Sequence, residues 1–254
     1  IIPVLIAETG GQNAMLVDSS ALPEQVVQDV MQSSFNSAGQ RCSALRVLFV
    51  QEEIAPRVIE MLRGYMQGLR IGDPGLLQTD VGPVIDKDAQ KILNGHADWI
   101  TKQGKTICKL ELPPFTAHGT YVAPLAVEIG SLDILKREVF GPILHVLRFK
   151  SRDIDRVIAA VNDTGYGLTL GIHTRIDSVA QYIQSRMRVG NAYVNRNMIG
   201  AVVGVQPFGG QGLSGTGPKA GGPHYLHRFA TERTLTVNTA AVGGNATLLS
   251  LGDE

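Results

Sequence analysis

Leu45-Arg-Val-Leu-Phe-Val50, with the apolar residues Ile54, Val58, Leu62, Tyr65, Met66 and Leu69 directly after it, decides the fold class. The six-residue run is apolar toward both sides, as a strand covered by helices on each face would be. The residues after it fall at i, i+4, i+8, i+11, i+12 and i+15, one stripe of a helix with 3.6 residues per turn. Gly72-Asp-Pro-Gly75 stops that helix. A doubly covered strand followed by an amphipathic helix is the opening of a βαβ unit.

The alternation extends in both directions. Upstream, Val4–Ala7 reads as an apolar strand and Ala14–Val17 as another. A helix then opens at Pro23 and sets Leu22, Val26, Val27, Val30 and Met31 on one face. Downstream, a helix near Asp88 to Gln103 precedes strands at Thr106–Leu110, Tyr121–Ile129 and Ile143–Phe149. Ile154, Val157, Ile158 and Val161 mark a helix stopped by Gly165 and Gly167. A strand (Leu168–His173), a helix (Asp177–Arg188) and a strand (Gly190–Val194) follow. The pattern predicts an α/β fold with a mostly parallel sheet, without internal repeats or a low-complexity linker.

Composition bounds the function classes. The chain has 254 residues, enough for one large core. Lys and Arg number 23 and Asp and Glu 23, a balance that argues against nucleic acid or an anionic membrane as the main partner. Two cysteines cannot build a disulfide framework, so a reducing compartment is expected. No apolar run approaches the roughly 18 residues of a spanning helix. Ile1-Ile-Pro-Val-Leu-Ile-Ala-Glu8 has no basic region or cleavage site of a signal peptide and no initiator Met, so a fragment of a longer chain is expected. Eight of the 29 glycines lie between Gly204 and Gly222. That density excludes helix and central strand and predicts a long functional loop.

Three constellations can carry chemistry. Glu8-Thr-Gly-Gly11 puts a carboxylate at a strand end before a sharp turn, a position suited to a general base or to mere solvation. Gly39-Gln-Arg-Cys-Ser-Ala44 puts Cys42 in a loop after a helix, beside cationic Arg41. Free backbone N–H groups and that charge favour a thiolate nucleophile; a small buried hydrophobe is the alternative. Cys108 reads as a strand residue. Glu138-Val-Phe-Gly-Pro142 offers a carboxylate for two hydroxyls and an aromatic face for a flat heterocycle. Gly210-Gln-Gly-Leu-Ser-Gly215 satisfies G-x-G-x-x-G but lacks the flanking strand and helix, so it is not a dinucleotide fingerprint. The six histidines form no metal set, and His224 and His227 read as surface residues. Lys150–Arg156 is a solvated helix start. In Arg233-Thr-Leu-Thr-Val-Asn-Thr239, Leu235 and Val237 alternate with Thr. That predicts a half-buried edge strand, on its own domain or reaching a neighbouring subunit.

Glu8-Thr-Gly-Gly, Gly-Gln-Arg-Cys42 34 residues later, Glu138-Val-Phe-Gly-Pro and Gln206-Pro-Phe-Gly-Gly210 occur in one order across essentially the whole chain. Together they resemble the catalytic half of the aldehyde dehydrogenase superfamily. Ala7–Met15, Ser37–Arg46 and Gly200–Gly210 resemble its L-glutamate γ-semialdehyde (1-pyrroline-5-carboxylate) dehydrogenase branch, as found in bifunctional proline-utilization enzymes. The resemblance implies a three-layer αβα catalytic domain over residues 1–230 and an oligomerisation flap over 231–254. It implies Cys42 as nucleophile, passing through a thiohemiacetal and a thioester, and Glu8 as the base that activates the hydrolytic water. Glu138 and Phe140 would meet the nicotinamide ribose of NAD. Gly200, Ala201 and Ser43 would anchor the substrate carboxylate, and Phe208 would pack on its aliphatic chain. FAD would belong only to a proline dehydrogenase region elsewhere in a parent protein, and the location would be cytoplasmic, with homo-oligomers formed through the flap. Members of the family carry a nucleotide-binding domain before Glu-Thr-Gly-Gly, whereas only seven residues precede Glu8 here. The isolated chain is therefore expected to be inactive. Two other readings follow from the same residues. One is a reductase using Cys42 on an acyl phosphate or acyl-CoA, which would not need Glu8 as a base. The other is a non-catalytic oligomerisation or scaffold fragment.

Overall fold

The computed structural model describes residues 2–202 and 204–238. Along them run β1 (Ala14–Val17), α1 (Pro23–Phe35), β2 (Val47–Gln51), α2 (Ala55–Gln67), α3 (Lys87–Gln103), β3 (Lys105–Lys109) and β4 (Leu125–Glu128). There follow β5 (Ile143–Phe149), α4 (Ile154–Asp163), β6 (Tyr166–Gly167), β7 (Thr169–His173), α5 (Asp177–Arg186), β8 (Asn191–Val194) and β9 (Gln211–Gly212). Seven strands form one sheet in the order β3-β4-β5-β2-β1-β7-β8. Only β3 runs antiparallel to its neighbour. The handedness of parallel crossovers fixes the layers. The chain steps one way from β1 to β2, which sets α1 on one face. It steps the other way from β5 to β7 and from β7 to β8, which sets α4 and α5 on the opposite face. The expected α/β sandwich with a mostly parallel sheet is the observed one.

The covered strands are buried throughout: every residue of β1, β2 and β7 is inside. Pro23 opens α1, whose Val26, Val27 and Val30 are buried. α2 buries Val58, Ile59, Leu62 and Met66 and packs along α1, while Tyr65 turns outward. Each such fully buried side chain contributes roughly 1.5–3 kcal/mol. α3 starts at Asp86, whose carboxylate accepts the Ala89 N–H at 2.8 Å, and stops at Gly104. A bulge between Thr106 and Cys108 lets Ile107 and Cys108 both turn inward, and Lys105 and Lys109 remain on the exposed edge.

Two strand expectations are corrected, and the own-chain form of the tail strand is not observed. Val4–Ala7 forms no strand; Val4 and Leu5 are exposed, and Glu8 makes a single bridge to Gly215. Apolar composition alone does not make a strand where no neighbouring strand is in register. The strand expected over Tyr121–Ile129 shrinks to Leu125–Glu128, because Pro124 lacks the N–H that the ladder needs. In the tail, residues 231–238 join no ladder among the described residues, and Leu235 and Val237 are 85% and 64% exposed. Thr239 and the rest of the proposed flap lie outside the described residues.

The fold gathers the candidate residues at one edge. Glu8 precedes β1, Cys42 precedes β2 and Glu138 precedes β5. All three lie where the parallel strands begin. Open α/β sheets usually bind ligands at the strands' C-terminal ends; here the segments entering the strands build the site.

Candidate active site

α1 ends at Phe35, and Ser37, Ala38 and Gly39 then turn left-handed, with φ of 55°, 52° and 66°. The helix is broken before Gly39, at a cost of order 1–3 kcal/mol for each strained residue. Gly39 is required for a different reason. A Cβ there would collide with the carbonyl oxygen of Gly141, in the segment that carries Glu138. The nucleophile loop and the Glu138 segment therefore touch backbone to backbone.

Cys42 is half-buried in the turn that follows, where the Ala44 N–H reaches the Arg41 carbonyl at 3.0 Å. Asn13, buried at the start of β1, fixes this turn. Its Nδ2 donates to the carbonyls of Cys42 (2.7 Å) and Ala44 (2.9 Å), and its Oδ1 accepts the Thr169 N–H (3.2 Å). Thr169 Oγ1 in turn donates to the Ser43 carbonyl at 3.1 Å. With the carbonyls engaged, the amides of Cys42 and Ser43 face the thiol. Such a pair can hold a developing oxyanion. Ser43 itself is buried.

The thiol's acidity runs against the sequence expectation. Burial pushes Cys42 up from the ordinary thiol range, and Glu138 pushes it further. The two amides and Arg46 pull it down, by less. Arg41 is exposed and bonds Ser37 Oγ through Nε at 3.2 Å; it is not among the charges acting on the thiol. At neutral pH the resting group is the thiol, so a base must take its proton during attack.

Glu138 lies on the Gly10-Gly11 turn. A Cβ at Gly10 would overlap its carboxylate, and the Gly11 amide bonds it. Burial pushes Glu138 above the usual carboxylate range, against Arg46, whose Nη2 stands 3.4 Å from Oε1. Phe140, two residues on, is 43% exposed, and the Arg46 guanidinium lies 5.0 Å from its ring centre. A carboxylate can accept from hydroxyl donors, and the exposed Phe140 ring can meet a flat heterocycle. This donor set fits the ribose end of a nicotinamide cofactor.

The glycine-rich segment has two parts. Leu213–Thr216 grips the Glu8 segment. The Thr9 N–H reaches the Ser214 carbonyl (3.2 Å), Thr9 Oγ1 that of Leu213 (2.5 Å), and Ala7 and Thr216 bond reciprocally. Glu8 itself stays exposed. The other part carries Gly200, left-handed at φ 77°, Ala201 and half-buried Phe208, whose backbone pairs with Ala220. Among the described residues, the amides of Gly200 and Ala201 donate to nothing. Within Gly210–Gly215, Gln211–Gly212 forms a two-residue ladder with Tyr166–Gly167, and no α-helix follows among the described residues. Cys108 is buried in β3, and His224 and His227 are exposed. No group of three potential metal ligands occurs among the described residues. None of the described helices is long and apolar enough to cross a membrane.

Two residues of the site were not read from the sequence. Asn13 sits in a quoted motif without a role, and Arg46 is hidden inside an apolar run. The available signal was Arg46's charge at the start of a doubly covered strand, where a cation must be paired.

The Cys42 loop, the Glu138 segment and the Glu8 segment thus lie at the edge where the parallel strands begin. The chain belongs to the aldehyde dehydrogenase family, whose model matches residues 2–235. It is 56% identical over 234 residues to the bifunctional protein PutA of Klebsiella aerogenes, covering 90% of this chain and 18% of that protein. It is 35% identical over 234 residues to the 1-pyrroline-5-carboxylate dehydrogenase of Geobacillus kaustophilus (strain HTA426), covering 91% and 45%. A crystal structure of Bradyrhizobium japonicum proline utilization A matches with a TM-score of 0.89 at 57% identity, over 94% of this chain and 24% of that one. The chain spans about a fifth to a quarter of these bifunctional relatives.

Proposed function

We propose that this chain is the nucleophile-bearing catalytic domain of an NAD-dependent dehydrogenase that oxidises L-glutamate γ-semialdehyde to L-glutamate in proline catabolism. The observation that carries this reading is the contact between the Cys42 loop and the Glu138 segment, in a chain this similar to 1-pyrroline-5-carboxylate dehydrogenases. Cys42 Sγ attacks the aldehyde carbon as its proton passes to solvent water at this open edge, and forms a thiohemiacetal. The Cys42 and Ser43 amides hold its oxygen. Bound NAD+ would supply the hydride acceptor. Glu138 would hold the ribose hydroxyls and Phe140 would flank the ring. Glu8, exposed and fixed by Leu213–Thr216, then takes a proton from the water that hydrolyses the Cys42 thioester. The amides of Gly200 and Ala201, without a partner among the described residues, suit the substrate's carboxylate; Ser43 would border that site, and Phe208 would cover the aliphatic chain.

In this proposal residues 1–230 form the catalytic domain and 231–254 an oligomerisation flap, which the exposure of Leu235 and Val237 supports. The parent is a cytoplasmic homo-oligomer, with any FAD confined to a proline dehydrogenase region. The test is NADH formation from the semialdehyde by the full-length parent. Cys42→Ser abolishes it, and Glu8→Gln leaves one burst of NADH per site followed by slow turnover. Unchanged steady-state rates in both variants would overturn the reading.

A further inference from the structure

Arg46 is a buried cation that none of the chemical steps above uses. Its side chain is 1% exposed. Nη1 donates to the Gly39 carbonyl at 2.6 Å and the Gly141 carbonyl at 3.3 Å. Nη2 donates to the Arg41 carbonyl at 2.9 Å and to Glu138 Oε1 at 3.4 Å. Its partners thus fall into two groups. Gly39 and Arg41 precede Cys42 in the nucleophile loop; Glu138 and Gly141 bracket Phe140, on whose ring the guanidinium also rests. The backbone of Arg46 is held as firmly. Its carbonyl accepts the amide of His145 (3.0 Å) and the ring Nδ1 of the same residue (3.0 Å).

We propose that Arg46 is a positioning residue, a planar fork that locks the Cys42 loop and the Glu138 carboxylate into one rigid arrangement. The proposal rests on the dehydrogenase reading for its purpose: thiol and ribose-facing carboxylate then meet a cofactor and a substrate in fixed register. A fork is needed because four directed bonds reach two separate segments. An ammonium has three donors around a point and cannot span them. Without the guanidinium the buried Gly39 carbonyl loses its donor and Glu138 loses its cation, whereas the Arg41 and Gly141 carbonyls keep the amides of Ala44 and Ile143, so the link between the two segments is what is lost.

The test is the pH dependence of Cys42 alkylation by iodoacetamide in this 254-residue chain, read by mass spectrometry. Cys108, buried in β3, reports foldedness in the same sample. The charged groups bearing on the Cys42 thiol are Glu138 and Arg46. Arg46→Met is expected to raise the Cys42 midpoint, Glu138→Gln to lower it, and Arg46→Lys to fall between wild type and Arg46→Met. Cys108 stays protected throughout. If Arg46→Met exposes Cys108, Glu138→Gln and Arg46→Lys decide by the same criteria. Midpoints that stay at the wild-type value in the variants that keep Cys108 protected would overturn the proposal. So would loss of Cys108 protection in Arg46→Lys, since Arg46 would then hold the fold and not the site. The assay needs no turnover, so a parent inactive on the semialdehyde would count against the dehydrogenase reading and leave this measurement standing.

Discussion

At the scale of single residues, the site is made by groups that hold backbone and by few that react. Asn13 shows this. Its amide satisfies the Cys42 and Ala44 carbonyls and the Thr169 amide at once. Asn13→Ala would leave these buried groups unpaired and loosen the turn around the thiol. The expected loss in urea denaturation is about 2–4 kcal/mol, with faster alkylation of Cys42 than in wild type; a variant of wild-type stability would show that water replaces the amide. The two cysteines divide by access, not acidity. Burial raises both thiols, but Cys42 is half-buried in an open turn and Cys108 lies inside. A thiol reagent should therefore label Cys42 first, with a midpoint above the ordinary thiol range in place of the lowered one that Arg41 suggested. Labelling of Cys42 that is complete well below that range would refute this. Glu8, Cys42 and Glu138 were singled out by their motifs, and the structure sets each where a loop enters a strand. Arg46 was not, because hydropathy reading treats a strand as apolar and cannot see that a cation's partners come from segments nearly a hundred residues apart.

At the scale of elements, the strand and helix order was legible from periodicity, because doubly covered strands and amphipathic helices leave different spacings. Val4–Ala7 failed because a strand needs a neighbour, and spacing does not say where one is; the tail finds none on its own chain among the described residues. Elements also carry the buried histidines. On β5, His145 lies against His96 of α3, Nε2 to Nε2 at 2.9 Å. The Arg46 carbonyl can only accept, so His145 Nδ1 carries the proton, His145 Nε2 accepts, and His96 Nε2 donates. Both rings are neutral. Burial lowers His145 to about 3, His96 to about 4 and, on β7, His173 to about 4, from an ordinary 6.5. A lowered histidine contributes stability that is complete above the unfolded value and lost as pH falls toward the folded one. Below pH 6.5 the unfolded chain binds protons that the fold refuses, at about 1.4 kcal/mol per pH unit for each of the buried rings His145 and His173 and less for half-buried, solvent-screened His96. Asp29 and Glu138, raised by burial, act in the opposite sense. Urea unfolding should therefore show stability falling from pH 7 to pH 5, and His145→Gln should flatten the slope. Equal stability at both pH values in wild type would mean that the rings are protonated in the fold.

At the scale of the whole molecule, the sheet gives a scaffold whose reactive edge is open. The three carboxylate and thiol segments are fixed to one another by backbone contacts, by Asn13 and by Arg46, so their arrangement depends on this chain's own core. Enclosure is a different matter. Glu8 is exposed, Phe140 presents its ring, and the amides of Gly200 and Ala201 have no partner among the described residues. Binding at such an edge supplies orientation from one side only, and hydride transfer needs the acceptor held close to the thiohemiacetal carbon. The 254-residue chain should accordingly fold and alkylate at Cys42, yet form no NADH from the semialdehyde, and NAD+ should not slow the alkylation. The tail bears on the same point. Leu235 and Val237 alternate with Thr and are exposed, so a pairing partner from a second copy would bury them. Light scattering should give a larger mass for the wild-type chain than for a Leu235→Asp, Val237→Asp variant. Equal masses would remove the tail from assembly, and steady NADH production by the chain alone would show that the open edge suffices for catalysis.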